Sequence, residues 1–272
     1  MTSSKLIVAL LAVATVALTS SNVPPASDAR TTKVAAQPDS YPFNARFVTT
    51  TANGTTGGVC SGALASPQWA ITAGHCFHDA QHFRTAGAPR YPTSVTVGTA
   101  DLKETSGHLR QVVEVHQSPV NDIALAKLAQ PILGIRPAML STTAPHVDQQ
   151  LTFAGWGAVL PRLTEPAAHL HLGTVSVATT AATTFGVHGL SPSAATSACL
   201  FDSGAPYLSQ PFDQQPAIVT GIEVGGPACP HTSTETVARV DVLNEWVHRI
   251  VDEDTSPRLG PTPSPGPAGT QR

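Results

Sequence analysis

The chain has 272 residues, enough for one large β domain or two small ones. Only 12% are charged and the formal net charge is −3, which gives no basis for nucleic acid or an anionic membrane as partner. With 41% apolar residues the chain can bury a sizeable core, which excludes wholesale disorder. At the N-terminus, Lys5 precedes a continuous apolar run from Leu6 to Leu18, too short for an ordinary bilayer span. A polar stretch then ends in Ser27-Asp28-Ala29, with small residues at the positions a signal peptidase reads. Residues 1–29 read as a signal peptide, with an uncleaved N-terminal anchor as the alternative. Nothing later is long and apolar enough to span a bilayer, so no membrane span is expected after signal cleavage.

Short β-type runs follow. Ser94-Val95-Thr96-Val97, Gln111 to Val115, Ile123 to Leu128, Thr174 to Val177 and Ile218 to Val224 are rich in β-branched residues and bounded by Gly, Pro, Ser or Asn. Helical periodicity is clear only in Val240 to Val251, where Leu243, Trp246, Val247 and Ile250 share a face. Many short strands, one late helix and frequent turns read as an all-β sandwich or barrel. From Thr255 to Arg272 the chain alternates Pro with Ser, Thr and Gly, which predicts an extended, disordered tail.

Export gives the cysteines meaning. The four allow three pairings, and four free or metal-bound thiols are the alternative; the lack of any Cys-x-x-Cys pair argues against zinc. His169 and His171 would share a face in a strand, but no third ligand lies nearby in sequence, so no metal site is assigned.

Three segments carry the chemistry: Thr72-Ala73-Gly74-His75-Cys76, Asn121-Asp122-Ile123-Ala124-Leu125, and Cys199-Leu200-Phe201-Asp202-Ser203-Gly204-Ala205-Pro206. A serine hydroxyl is a poor nucleophile at neutral pH. It needs a base within hydrogen-bond reach, and the base needs a third group to fix its tautomer. With the Gly155-Trp156-Gly157 turn and the Glu245-Trp246-Val247 helix, these segments resemble the trypsin/chymotrypsin family of serine proteases from about Pro42 to about Ile250. The resemblance is nearest to the secreted trypsin-like proteins of actinobacteria.

The resemblance implies two antiparallel β-barrels, chymotrypsin-like, with a C-terminal helix. Residues 30–140 would form the first barrel and 141–254 the second with its helix, the crossing falling near Met139 to Pro145, and 255–272 the tail. It implies Ser203 as nucleophile, His75 as general base and then acid, and Asp122 as the residue that orients His75. It also implies disulfides Cys60–Cys76 and Cys199–Cys229. The function implied is that of a secreted, monomeric serine endopeptidase acting on protein or peptide substrates without a cofactor. A catalytically silent homologue that binds a partner, and an esterase using the same triad, are the competing readings.

Four departures from the family pattern bear on activity. Phe201 stands where the family has a glycine whose N–H, with that of Ser203, forms the oxyanion hole; a bulky residue adopts positive φ only at a cost, so either the peptide flips and withdraws one donor or the N–H stays in place and the ring lines the leaving-group side. Ala205 replaces a second glycine. Val224 falls where a serine hydroxyl supports the triad aspartate, so Asp122 is expected to lose a partner; Gly225 opens one wall of the substrate cleft and Gly226 keeps the pocket mouth clear. No Ile-Val-Gly-Gly segment supplies the amino terminus that pairs with the aspartate before the nucleophile, here Asp202. Counting places Arg30-Thr31 there, with Lys33-Val34 as another activation point; otherwise something else satisfies Asp202. Ser197 falls at the base of the primary pocket. Glu235 falls on its inner wall, where it could attract a basic side chain, although a solvated loop glutamate is the preferred reading.

Overall fold

The structure is a computed structural model, and it describes residues 33–37, 40–159, 165–209 and 217–255. The expected signal peptide, Arg30 and the expected tail beyond Thr255 lie outside the described residues. The strands are β1 (Val34–Ala35), β2 (Asn44–Thr50), β3 (Thr56–Ser66), β4 (Trp69–Ala73), β5 (Thr93–Val97), β6 (His108–Gln117) and β7 (Ile123–Leu128). They continue with β8 (Met139–Leu140), β9 (Gln150–Gly155), β10 (His171–Thr180), β11 (Thr184–Ser191), β12 (Pro206–Ser209), β13 (Ile218–Gly225) and β14 (Glu235–Arg239). Helix α1 (Asn244–Thr255) closes the described chain.

Strands β2 to β7 close into one antiparallel barrel in the order β2-β3-β4-β7-β6-β5. Strands β9 to β14 form the second, closed by the β10–β9 pairing, with β1 and β8 added outside. In β5 the alternation is strict: Thr93, Val95 and Val97 are buried while Ser94 and Thr96 are half-buried, as a period of two requires. Strands β4 and β7 are buried almost throughout, and one apolar cluster runs from Ile71 and Leu125 to Ile222, Val247 and Ile250. A separate cluster around Phe153, Phe185, Val187 and Tyr207 fills the second barrel.

The helix starts later than its apolar spacing predicts. Asp241–Leu243 form a 3-10 turn before α1, where the Arg239 guanidinium donates to both carboxylate oxygens of Asp241 at 3.0 and 2.6 Å. That clamp ties the chain to the end of β14 and tightens its entry into the helix. The buried face is still Leu243, Val247 and Ile250.

Candidate active site

The register of two buried strands brings His75 to Asp122. Ala73, the last residue of β4, pairs with Ile123, the first of β7. The next residues therefore meet at the barrel rim, where Gly74 N donates to Asp122 O at 3.0 Å. The 3-10 turn Gly74–Cys76 swings His75 around so that its backbone N donates to Asp122 Oδ1 at 2.9 Å and its Nδ1 lies 2.6 Å from Oδ2. This carboxylate fixes the ring and leaves Nε2 free to take a proton. Burial alone would raise the Asp122 pKa, but the His75 hydrogen bond and the charges of His75 and Arg84 outweigh it and hold the carboxyl below its ordinary value.

Val224 offers Asp122 no hydroxyl, yet the carboxylate is not short of partners. Arg84 Nη1 donates to Asn121 O at 2.8 Å and lies 3.4 Å from Asp122 Oδ1. Arg84 carries no motif that sequence reading could detect.

The Ser203 loop leads into β12 and is fastened to both barrels. Ser61 N donates to Ser203 O at 2.8 Å, Ser61 Oγ to Phe201 O at 3.3 Å, and Gly204 N to Glu223 O at 2.8 Å. Gly204 is required: at φ +87 a side chain is strained, and a Cβ would fall 2.1 Å from Thr72 Oγ1 and 2.2 Å from Ser61 O. Disulfides Cys60–Cys76 and Cys199–Cys229 are both formed, one beside His75 and the other opening the Ser203 loop.

Phe201 does adopt positive φ, at +76. Asp202 N donates to Cys199 O at 3.0 Å, so Phe201 is the third residue of a hydrogen-bonded turn. Positive φ at that place is the mark of a type II turn, normally a glycine position. The residue holds the strain and the peptide has not flipped to relieve it. His75, Phe201 and Ser203 line one cleft of about 430 Å3, walled also by Phe77, Leu200 and the Cys60–Cys76 disulfide.

Behind the loop, Asp202 is fully buried. Gly157 N donates to Oδ1 at 2.7 Å and Cys199 N to Oδ2 at 2.8 Å. The glycines of the Gly155-Trp156-Gly157 turn are needed because a Cβ on either would fall 2.2 Å from the Asp202 carboxylate. The charge partner of Asp202 is the side-chain ammonium of Lys33.

The remaining predicted residues frame a second, acidic region. Glu235 is 2% exposed, so the preferred reading of a solvated loop glutamate is wrong. Its Oε1 accepts from Ala198 N, Nε2 of His231 lies 3.3 Å from the same oxygen, and the Tyr207 hydroxyl lies 3.0 Å from Oε2. The same hydroxyl donates to Glu223 Oε2 at 2.7 Å. One hydroxyl proton cannot serve two carboxylates, so the pair needs a further proton of its own. Burial, reinforced by the charge of Glu235, pushes Glu223 well above the usual carboxylate range. Burial also raises Glu235, against the hydrogen bonds from Tyr207 and Ala198 and the charge of His231. Sequence reading missed Glu223 and Tyr207, which look like ordinary strand residues. Ser197 is buried nearby, donating to Ala195 O at 3.2 Å. Gly226 is exposed and would bring a Cβ within 2.9 Å of Glu235 Cγ, while a Cβ on Gly225 would meet nothing within 4 Å. Among the described residues no group of three or more His, Cys, Asp or Glu could hold a metal.

Residues 31–247 match the family described as Trypsin. The chain belongs to the trypsin family. It is 32% identical over 106 residues to Kallikrein-15 of Homo sapiens, covering 37% of this chain and 39% of that one. It is 30% identical over 142 residues to Serine protease SSP1 of Scolopendra subspinipes, covering 45% of each. The chain thus spans less than half the length of these curated relatives. They are animal proteins, and the expected nearness to actinobacterial proteins is not supported. A solved structure of neuropsin, a serine protease expressed in the limbic system of mouse brain, superposes with a TM-score of 0.65 at 20% identity, covering 81% of this chain and 99% of that one. At that identity the likeness speaks for the chymotrypsin-like two-barrel fold alone. No helix among the described residues is long and apolar enough to cross a membrane.

Proposed function

We propose that this trypsin-family chain is a secreted, monomeric serine endopeptidase that cleaves protein or peptide substrates through an acyl-enzyme, without a cofactor. The reading rests on one observation above all: a histidine held by a carboxylate at 2.6 Å shares a cleft with Ser203. Ser203 Oγ attacks the substrate carbonyl carbon while His75 Nε2 takes the hydroxyl proton. Asp122 stabilises the resulting imidazolium through Nδ1–H. The carbonyl oxygen, now negative, accepts from the N–H groups of Phe201 and Ser203. His75 then protonates the leaving amine, the C–N bond breaks, and a water repeats the sequence to release the acid and regenerate Ser203. On the acyl side Ser197, Val224, Gly225, Gly226 and Glu235 form the substrate-binding wall. Barrel one corresponds to residues 30–140 and barrel two with its helix to 141–254, after removal of 1–29. Two disulfides suit an oxidising compartment.

A fluorophosphonate probe tests the reading on the secreted protein. Covalent labelling that depends on Ser203 and His75 is expected. No labelling favours the partner-binding homologue. Labelling with turnover of esters but of no peptide favours the esterase.

A further inference from the structure

The buried pair beneath the Ser203 loop is made by a side chain from inside the sequence. Both the Lys33 ammonium and the Asp202 carboxylate have side chains fully shielded from solvent, and they are in direct contact. Lys33 reaches that place because its neighbours are fixed: Val34 and Ala35 pair with Leu172 and His171 of β10, and Ala36 N donates to Leu170 O at 2.8 Å. The ammonium also lies 5.4 Å from the centre of the Phe153 ring, whose electron-rich face favours a cation. His171 feels both charges but cannot take the cation's place; burial and the Lys33 charge lower its pKa, against a smaller opposing pull from Asp202.

What Asp202 holds decides the geometry of the site. Its two oxygens gather Gly157 N, Cys199 N and the Lys33 ammonium. They thereby fix the turn from Cys199 to Asp202, the positive φ of Phe201 and the position of Ser203. A carboxylate buried there without a cation would take a proton or leave, and the turn would go with it.

Resting on the protease reading above, we infer that Lys33 is a positioning residue that supplies the buried cation required by the Ser203 loop, so that the site assembles as the chain folds and needs no cut to create an amino terminus. The resemblance in sequence leads one to expect a freshly generated terminus at this spot. The structure supplies the positive charge from Nζ, an atom present whether or not residues precede Lys33.

The test compares two forms of the protein, one beginning at Lys33 and one keeping Arg30 to Thr32 behind a non-cleavable tag. Each is treated with a fluorophosphonate probe and the labelled species is weighed intact. Equal labelling of both, with the tag still attached, is expected. Labelling only of a form with a fresh terminus overturns the inference and spares the protease reading; labelling of neither overturns both. Lys33→Met should lower kcat by about 10²–10³ while KM changes little, because the loss falls on transition-state stabilisation. Lys33→Arg should recover most of that loss. Circular dichroism and disulfide mapping establish that each variant is folded; if Lys33→Met is not, Lys33→Met/Asp202→Asn, which removes the buried carboxylate together with its cation, should fold where the single variant does not. A folded Lys33→Met that keeps wild-type kcat, or a double variant no better folded than an unfolded single one, contradicts the inference.

Discussion

Replacing Phe201 by glycine separates strain from catalysis. The residue sits at φ +76 in a hydrogen-bonded turn. An L-residue in the left-handed region costs about 1–2 kcal/mol. Glycine removes that cost but loses about 0.5–1 kcal/mol to its greater freedom in the unfolded chain. The net change in stability is therefore at most about 1.5 kcal/mol, a Tm rise of no more than about 6 °C. Phe201 already holds the positive φ that glycine would adopt there, so on the proposed mechanism the substitution restores no missing donor. Phe201→Gly should change peptide turnover by less than about tenfold, or 1.4 kcal/mol. The assay is steady-state hydrolysis of a short peptide, paired with a thermal melt. A rise of about 10²–10³ would mean that glycine restored a missing donor, and would refute the argument. The ring also walls the cleft shared with Ser203. Its removal should tighten binding of a rigid trypsin-type inhibitor protein more than it lowers KM for a short peptide; equal changes would rule out a steric role.

Three further predictions concern stability and covalent structure. Glu223 holds its proton longer folded than unfolded, so its contribution to stability is complete below its ordinary value of 4.5 and is lost as pH rises through the raised folded value. Glu223→Gln should therefore gain Tm over the wild type as pH goes from 5 to 8, by about 2–4 °C for each kcal/mol of ionisation cost avoided; parallel Tm curves would contradict this. Gly204→Ala combines left-handed strain with a Cβ 2.1 Å from Thr72 Oγ1 and should destabilise by about 2–5 kcal/mol in denaturant titration; a neutral effect would show that the loop is placed wrongly. Non-reducing peptide mapping should recover Cys60–Cys76 and Cys199–Cys229, and a Cys60–Cys199 peptide would break the register that unites the two barrels.

The parts of the site legible in sequence are those whose environment is local. His75, Asp122 and Ser203 each sit in a short segment at a turn or strand end, so order and context sufficed to single them out as candidates; the structure pairs His75 with Asp122 and puts His75 and Ser203 on one cleft. Strands rich in Val, Ile and Thr, such as β5 and β7, announced themselves. Strand β3, Thr56–Ser66, did not: its Gly, Ala, Ser and Cys carry no β-type signal, and close packing explains them, since a Cβ on Gly62 would fall 2.5 Å from Ile71 O. Glu235 was misjudged because its partners Ala198, Tyr207 and His231 come from three other parts of the chain. Lys33 stands 169 residues from Asp202, so the need for a cation was visible but its source was not. Arg84 reaches Asp122 across 38 residues, a contact that no local motif announces.

The central claim is that Ser203 is activated by His75. Active-site titration of the disulfide-bonded protein with a fluorophosphonate measures it most directly. The account predicts one label per chain on the Ser203 peptide, abolished by Ser203→Ala and by His75→Ala in folded protein. A correctly disulfide-bonded wild type that takes no label, or one that labels as fast after His75→Ala, would contradict it.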